Sequence, residues 1–302
     1  MTASLVYGAP PAGLADVPPG AVQTSPLMPG ATLLQAIAPG SADAMIMAVP
    51  PGTVERLYAL ALALRALSPG GRLVALGPKD KGGSRIRKAL EGFGCAVAEE
   101  SKSHWRICRA MRPEAPTGID EAIAEGALHF DDALGLWTQP GIFSWDRIDE
   151  GSALLLDALG PLSGHGADLG SGLGLLSRFM LARNDAVATI EAVELDARAI
   201  TAAKRNIPDP RAHFHWLDVR DPLPFAGLDF VVMNPPFHSG GADDVGLGRI
   251  FLKRARDVLR PGGVLWMVAN RHLPYEAELA ALFAKVEAAR ESPRFKIVRA
   301  TA

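Results

Sequence analysis

The sequence predicts an α/β protein: a doubly wound, mainly parallel sheet ending in an antiparallel hairpin, preceded by a shortened α/β duplicate of itself. Three observations predict it. Apolar strand-like runs alternate with helical stretches from near residue 166 to about 286, and parallel strands joined by helices form a sheet covered on both faces. The first of those strands runs into a glycine-rich turn, Asp168-Leu169-Gly170-Ser171-Gly172-Leu173-Gly174. A phrase of strand, Pro-Pro, helix, Pro-Gly-Gly and strand occurs twice in the chain.

In chain order, the first 40 residues are rich in Pro and Gly and predict a loosely structured arm with short elements. An apolar run at 44–49 reads as a buried strand, 54–67 as a helix, and 72–76 as a second strand after the turn Pro69-Gly70-Gly71. The second copy of this unit has a strand at 228–233 leading into Asn234-Pro235-Pro236-Phe237, a helix at 246–259, and the turn Pro261-Gly262-Gly263 before a strand at 264–268. Aligning the Pro-Pro pairs sets Val49 against Asn234, so the first copy lacks the polar residue of the second. It also has only about 43 residues ahead of its strand, too few for a glycine-rich turn and two βα units. The first copy therefore reads as a shortened, inactive duplicate. Met111 to Gly118 carries two prolines and a glycine and is the linker, placing domains at 1–118 and 119–302. Beyond it, 127–130 and 134–138 predict a hairpin, 148–159 a helix, and further strands fall at 188–193 and 212–217. Two strands around Ser292-Pro293 form the closing hairpin.

With 302 residues, 48% hydrophobic and 21% charged, the chain has the composition of a folded protein with more than one core. It shows neither an apolar run of membrane-spanning length nor a signal-peptide pattern, and the expected location is the cytoplasm. Cys95 and Cys108 have no second CxxC or histidine partner at metal spacing, so reduced thiols and no metal are expected. His213 and His215 likewise receive no metal, since no third ligand accompanies them. The net charge of -2 is uneven: residues 65–112 hold 11 Lys/Arg against 4 acids, a segment of +7 in a chain whose remainder is -9. Such a segment is either a solvated face or a surface for a polyanion.

The candidate site gathers at strand ends, where doubly wound sheets bind ligands. Glycines at 170, 172 and 174 let the backbone turn tightly and approach a ligand closely, although such a turn alone also suits a dinucleotide or no ligand. Two acids at later strand ends change the balance. Glu194 can accept hydrogen bonds from both ribose hydroxyls, and Asp218 from an adenine amine. Asp168, opening the turn, can face an ammonium. Three carboxylates suit a ligand bearing an ammonium and a sulfonium better than a pyrophosphate, which favours S-adenosylmethionine.

Asn234-Pro235-Pro236-Phe237 supplies the other half of the chemistry. An exocyclic purine amine is a poor nucleophile because its lone pair is delocalised, so an enzyme must hold both N–H bonds and aim the nitrogen. The Asn234 side-chain oxygen and the Pro235 carbonyl can accept those two hydrogens. Pro235 and Pro236 restrict the backbone that carries them. Phe237 can stack on the ring, and His238 can contact base or phosphate. The same logic serves a guanine, an adenine N6 or a protein glutamine amide.

These motifs, with Pro140-Gly141-Ile142-Phe143-Ser144, Asp149-Glu150-Gly151-Ser152 and the late stretches VANRHLPYE and RFKIVRA, resemble the bacterial ribosomal RNA guanine-N2 methyltransferases, nearest to the small-subunit (16S) type. The resemblance covers residues 135–302, with weaker likeness before. It implies a class I, Rossmann-like methyltransferase with an inactive N-terminal duplicate that grips RNA. It further implies S-adenosylmethionine held by Asp168, Gly170, Gly172, Gly174, Glu194 and Asp218, with Asn234 adjoining, and guanine N2 presented by Asn234 to Phe237. Phe143 and His238 are implied on the substrate side. The expected partner is ribosomal RNA or the small ribosomal subunit, bound by a monomer. A non-catalytic RNA-binding assembly factor stands as the alternative. The first domain is shorter than in that family, and Ser171 stands where the family often has Cys.

Overall fold

The computed structural model describes residues 3–302 apart from 237, 240, 241 and 244, with side chains at 238, 239, 242, 243 and 245 also outside the description. The chain forms two compact units: one of residues 1–129 with 139–141, the other of 130–138 with 142–302.

The strands of the first unit are β1 (Ala3–Tyr7), β2 (Val22–Gln23), β3 (Ala42–Ala48), β4 (Leu67–Pro78), β5 (Val97–Lys102) and β6 (Trp105–Met111). They form a six-stranded sheet in the order β2-β1-β3-β4-β6-β5. The first four in that order run parallel, β6 runs against them, and β5 pairs antiparallel with β6. Helix α1 (Thr53–Ala66) buries an unbroken run from Ala59 to Leu64 against this sheet, and α2 (Ile86–Gly92) adds Ile86 and Leu90. Cys95 and Cys108 are free thiols in the same core, and burial pushes the Cys108 thiol up to about 11.

The sequence reading put a boundary near 118, but α3 (Ile119–Glu125) belongs to the first unit. Ile119 and Ala122 join its core, and Gly126 lies so close to Tyr58 that a Cβ there would sit 2.3 Å from the tyrosine Cβ. Burial of α3 moves the division to 129–130, because the proline-rich stretch before it breaks regular structure without ending the packing.

The second unit opens with β7 (His129–Asp131) and β8 (Leu136–Thr138), which pair as a ribbon. Its main strands are β9 (Gly164–Leu169), β10 (Val187–Glu194), β11 (Ala212–Trp216), β12 (Leu228–Met233), β15 (Leu259–Asn270), β16 (Lys285–Glu291) and β17 (Phe295–Thr301). They form a seven-stranded sheet in the order β11-β10-β9-β12-β15-β17-β16. Between β12 and β15, β13 (His238–Ser239) and β14 (Ala242–Asp243) make a short antiparallel pair. The helices are α4 (Glu150–Ala158), α5 (Leu175–Arg183), α6 (Ala197–Asn206), α7 (Val245–Val258) and α8 (Glu276–Leu282). Both faces of the sheet are covered, as a parallel sheet requires. Along β12 the side chains alternate between two cores: Val231 and Met233 pack with Leu252 and Ala255 of α7, while Phe230 and Val232 pack with Leu155 of α4 and Met180 of α5. No helix among the described residues is long and apolar enough to cross a membrane.

The two sheets share one plan. Removing β11 from the second order leaves the first, strand for strand and direction for direction. Both Pro-Gly-Gly turns are tied the same way: Gly70 N–H donates to Arg112 O and Arg112 N–H to Gly71 O, while Gly262 N–H donates to Ala302 O and Ala302 N–H to Gly263 O. The arm expected over the first 40 residues therefore keeps two strands of the plan while losing their helices and the outermost strand. The register also refines the pairing of residues. Ala42↔Leu67 followed by a break to Ala44↔Arg72 matches Leu228↔Leu259 and Phe230↔Val264, which sets Ala48, one place before Val49, against Asn234. By the neighbouring ladder, Val6 takes the place of Asp168. Both key polar positions are apolar in the first copy. At the tip of β2 the Gln23 amide fills the loop after β1, accepting from Gly8 N–H and donating to Gly8 O.

Candidate active site

The loop from Leu169 to Gly174 joins β9 to α5, and its three glycines all have positive φ: 77° at Gly170, 51° at Gly172 and 81° at Gly174. Any other residue would be strained at these positions. Their surroundings differ. Gly172 has open space where a side chain would point, whereas a Cβ on Gly174 would lie 2.6 Å from Ile207 Cδ1. Gly174 thus permits close packing of α5 against α6, and Gly172 leaves room for a ligand. A cleft opens there, bordered by Gly170, Ser171, Gly172, Asn234, Asp149, Ser152, Arg147 and Phe143. The sequence-predicted residues Gly170, Gly172, Asn234 and Phe143 therefore share one cavity, and Phe143 is 65% exposed at its mouth. A Cβ on Gly170 would stand 4.0 Å from the Asn234 carbonyl.

Asp168 lies beneath this loop, fully buried. Its Oδ2 accepts from the Ser177 hydroxyl at 2.7 Å and the Ser177 N–H at 3.1 Å, and its Oδ1 has no partner. Burial pushes the carboxyl up to about 7, against the pull of the two Ser177 bonds. Ser171 Oγ is a second buried polar atom with no partner, on the cleft wall. Glu194 at the tip of β10 accepts from Gly172 N–H at 2.8 Å through Oε2 and from Asp196 N–H at 2.9 Å through Oε1. Burial raises its pKa as well, while each oxygen keeps lone-pair capacity for a hydroxyl. Asp218 lies away from the cleft wall, and the Arg220 guanidinium that grips both its oxygens holds its carboxyl below the usual range. Asp196 caps α6 and forms a buried ion pair with Arg198 at 2.7 Å.

These features fit S-adenosylmethionine. An orphaned, buried carboxylate oxygen at Asp168 is what an ammonium group would satisfy, and desolvation makes leaving it unpaired costly. A glycine with no neighbour at its missing Cβ, beside a carboxylate able to take a diol, suits the ribose.

Asn234 follows β12 and is half-buried, with Pro235 buried behind it. Its Nδ2 donates to Asp149 Oδ2 at 2.9 Å and to Ser152 Oγ at 2.8 Å, leaving Oδ1 with no protein partner among the described residues. Asp149 is the N-cap of α4, its Oδ2 also accepting from Ser152 N–H at 2.7 Å. Phe237 and the side chain of His238 lie outside the described residues. The sequence reading missed Ser177, Ser152 and the bond from Asp149 to Asn234. It quoted 149–152 only as a matching phrase, and nothing local marks a pair 85 residues apart. His213 and His215 each bond the Glu191 carboxylate, at 2.9 and 2.6 Å. Among the described residues no three His, Cys, Asp or Glu side chains form a metal-binding group.

The methyltransferase small domain family matches residues 133–299. Over 267 residues the chain is 30% identical to a ribosomal RNA small subunit methyltransferase C of Vibrio cholerae, an alignment spanning 86% of this chain and 77% of that protein. The protein of the same name from Pseudomonas entomophila is 32% identical over 265 residues, 86% of this chain and 79% of the other. Among solved structures, a T. thermophilus 16S rRNA N2 methyltransferase in complex with AdoMet and guanosine superposes with a TM-score of 0.81 at 26% identity, covering 100% of this chain and 88% of that one.

Proposed function

This chain belongs to the methyltransferase small domain family, and on that premise we propose that it methylates the exocyclic N2 amine of a guanine in small-subunit (16S) ribosomal RNA, using S-adenosylmethionine. When bound, that cofactor supplies a methyl group on a positively charged sulfur. The observation that carries the reading is the Asn234 amide, whose nitrogen is tied to Asp149 and Ser152 so that its oxygen is left to the cleft beside Gly170 and Gly172.

In this reading Asn234 Oδ1 and the Pro235 carbonyl accept the two hydrogens of the base amine, which turns its nitrogen lone pair toward the methyl group. Asp168 Oδ1 holds the ammonium of the cofactor, and Glu194 its ribose hydroxyls. Asp218, whose two oxygens take four contacts from Arg220, accepts the adenine amine in this reading as Arg220 yields one of them. Phe237 stacks on the guanine, and Phe143 forms the outer wall. No general base is required, since the amine proton becomes acidic once the carbon–nitrogen bond forms and leaves to water or a carbonyl. A guanine paired in a helix has to be turned out of its stack, at a cost of a few kcal/mol. Exposed cations of the first unit, Lys79, Lys81, Arg85, Arg87 and Lys88, support an RNA-gripping role for the inactive copy. The protein acts as a monomer in the cytoplasm, where its ribosomal substrate is assembled.

The test is incubation of the protein with labelled S-adenosylmethionine and small ribosomal subunits or 16S RNA from cells that lack it, followed by nucleoside analysis. N2-methylguanosine is the expected product. Label confined to N6-methyladenosine or to protein, or no turnover with no cofactor bound, refutes the reading. Asn234→Ala should lower turnover at least about 100-fold with cofactor affinity unchanged, as removal of one aligned hydrogen-bonding group does elsewhere.

A further inference from the structure

We infer that Asp149 is a positioning residue that decides which edge of the Asn234 amide faces the substrate amine. This rests on the reading of Asn234 Oδ1 as the acceptor for that amine. An amide has an acceptor edge and a donor edge of nearly the same shape, and the reversed orientation would set an NH₂ group against another NH₂. The choice is made behind the cleft. Asn234 Nδ2 gives one hydrogen to Asp149 Oδ2 at 2.9 Å and the other to Ser152 Oγ at 2.8 Å. A hydroxyl can donate as well as accept, so Ser152 alone would tolerate either orientation. An ionised carboxylate only accepts, so it excludes the reversed amide.

Asp149 is itself fixed. Its Oδ2 takes the Ser152 N–H at 2.7 Å as the N-cap of α4, and a Cβ on Gly151 would stand 3.1 Å from that oxygen and crowd it. Ser152 is 8% exposed, so water competes little for the Asn234 nitrogen. One carboxylate oxygen therefore starts a helix and orients the amide at the end of β12.

Asp149→Ser separates the two tasks, because Ser caps a helix as well as Asp does while its hydroxyl, which can donate as well as accept, no longer forbids either orientation of Asn234. Turnover and KM on the RNA that the wild type methylates, with cofactor affinity by calorimetry and the melting temperature, give the readout. The expected result is a kcat lowered on the order of 10- to 100-fold, with KM, cofactor Kd and melting temperature near wild type. A kcat within about twofold of wild type for Asp149→Ser, or a loss of cofactor affinity and melting temperature in step with kcat, would overturn the inference. The methylated nucleoside formed by the wild type tests the proposed function, and the ratio of variant to wild type on that nucleoside tests Asp149, so the two fail separately.

Discussion

Replacing Asp168 with Asn should remove a pH dependence from cofactor binding. The Asp168 carboxyl is fully buried, its Oδ1 has no partner, and burial moves its pKa from 3.8 to about 7. At about 1.4 kcal/mol per pH unit, that displacement is a penalty of roughly 4 kcal/mol on the ionised form. An ammonium placed against Oδ1 needs the ionised form, so binding expels the proton wherever the free protein holds it. Affinity is therefore nearly constant above about pH 7 and falls about tenfold per unit below it, about 100-fold by pH 5. Above about pH 8 it weakens again, as the amine of the ligand itself loses its proton. Calorimetric titrations from about pH 5 to 8 in buffers of different ionisation enthalpy measure both the affinity and the proton released. Asp168→Asn should bind weakly and lose that step, keeping only the contribution from Glu194, whose pKa is also raised. Stability moves the opposite way. Between about pH 4 and 7 the native chain keeps a proton that the unfolded chain releases, so the contribution of Asp168 to stability is complete below about 4 and is lost as pH rises through 7. Asp168→Asn should thus be more stable than wild type at about pH 8, with the advantage vanishing near pH 4. Parallel affinity profiles for wild type and Asp168→Asn would refute the argument.

Three further outcomes follow from the same geometry. Ser177→Ala removes the 2.7 Å hydroxyl bond that holds the Asp168 pKa down, so the binding step should move to higher pH by about one unit, read in the same titration. Gly174→Ala must take φ of +81° with a Cβ 2.6 Å from Ile207 Cδ1, and should lower stability by about 1–3 kcal/mol in urea unfolding. Changing Lys79, Lys81 and Arg85 together to Gln should reduce the slope of log affinity against log salt for single-stranded RNA by about 2 while leaving cofactor affinity intact.

What the sequence disclosed divides along a physical line. The strand at 228–233 and the helix after it were legible because apolar spacing is local, and the glycine turn because only glycine accepts its backbone angles. The convergence of Asn234 with Gly170 and Gly172 was legible through topology, since neighbouring parallel strands bring their ends together. Long-range pairing was not. Asp149 looks like a helix cap in the sequence, and its second bond exists only because β12 ends beside α4. Ser177 is an ordinary helix serine until the fold turns it under Asp168. The two-residue β2 carries too little pattern to be seen among prolines and glycines, so the extent of the duplication emerged only from strand order. The Pro-Pro pair misled by one place, setting Val49 against Asn234 where the ladder sets Ala48, because a bend in the chain can slip along a strand while hydrogen-bonded register cannot.

The amide of Gln23 closes the first loop of the amino-terminal copy with a side chain of the protein itself. It meets both the donor and the acceptor of Gly8 without a partner from outside the chain. The carboxyl-terminal loop leaves one oxygen of Asp168 bare. One half of the chain thereby carries a loop satisfied from within and the other a loop with an open valence, a difference that starts from a single side chain at the tip of a two-residue strand.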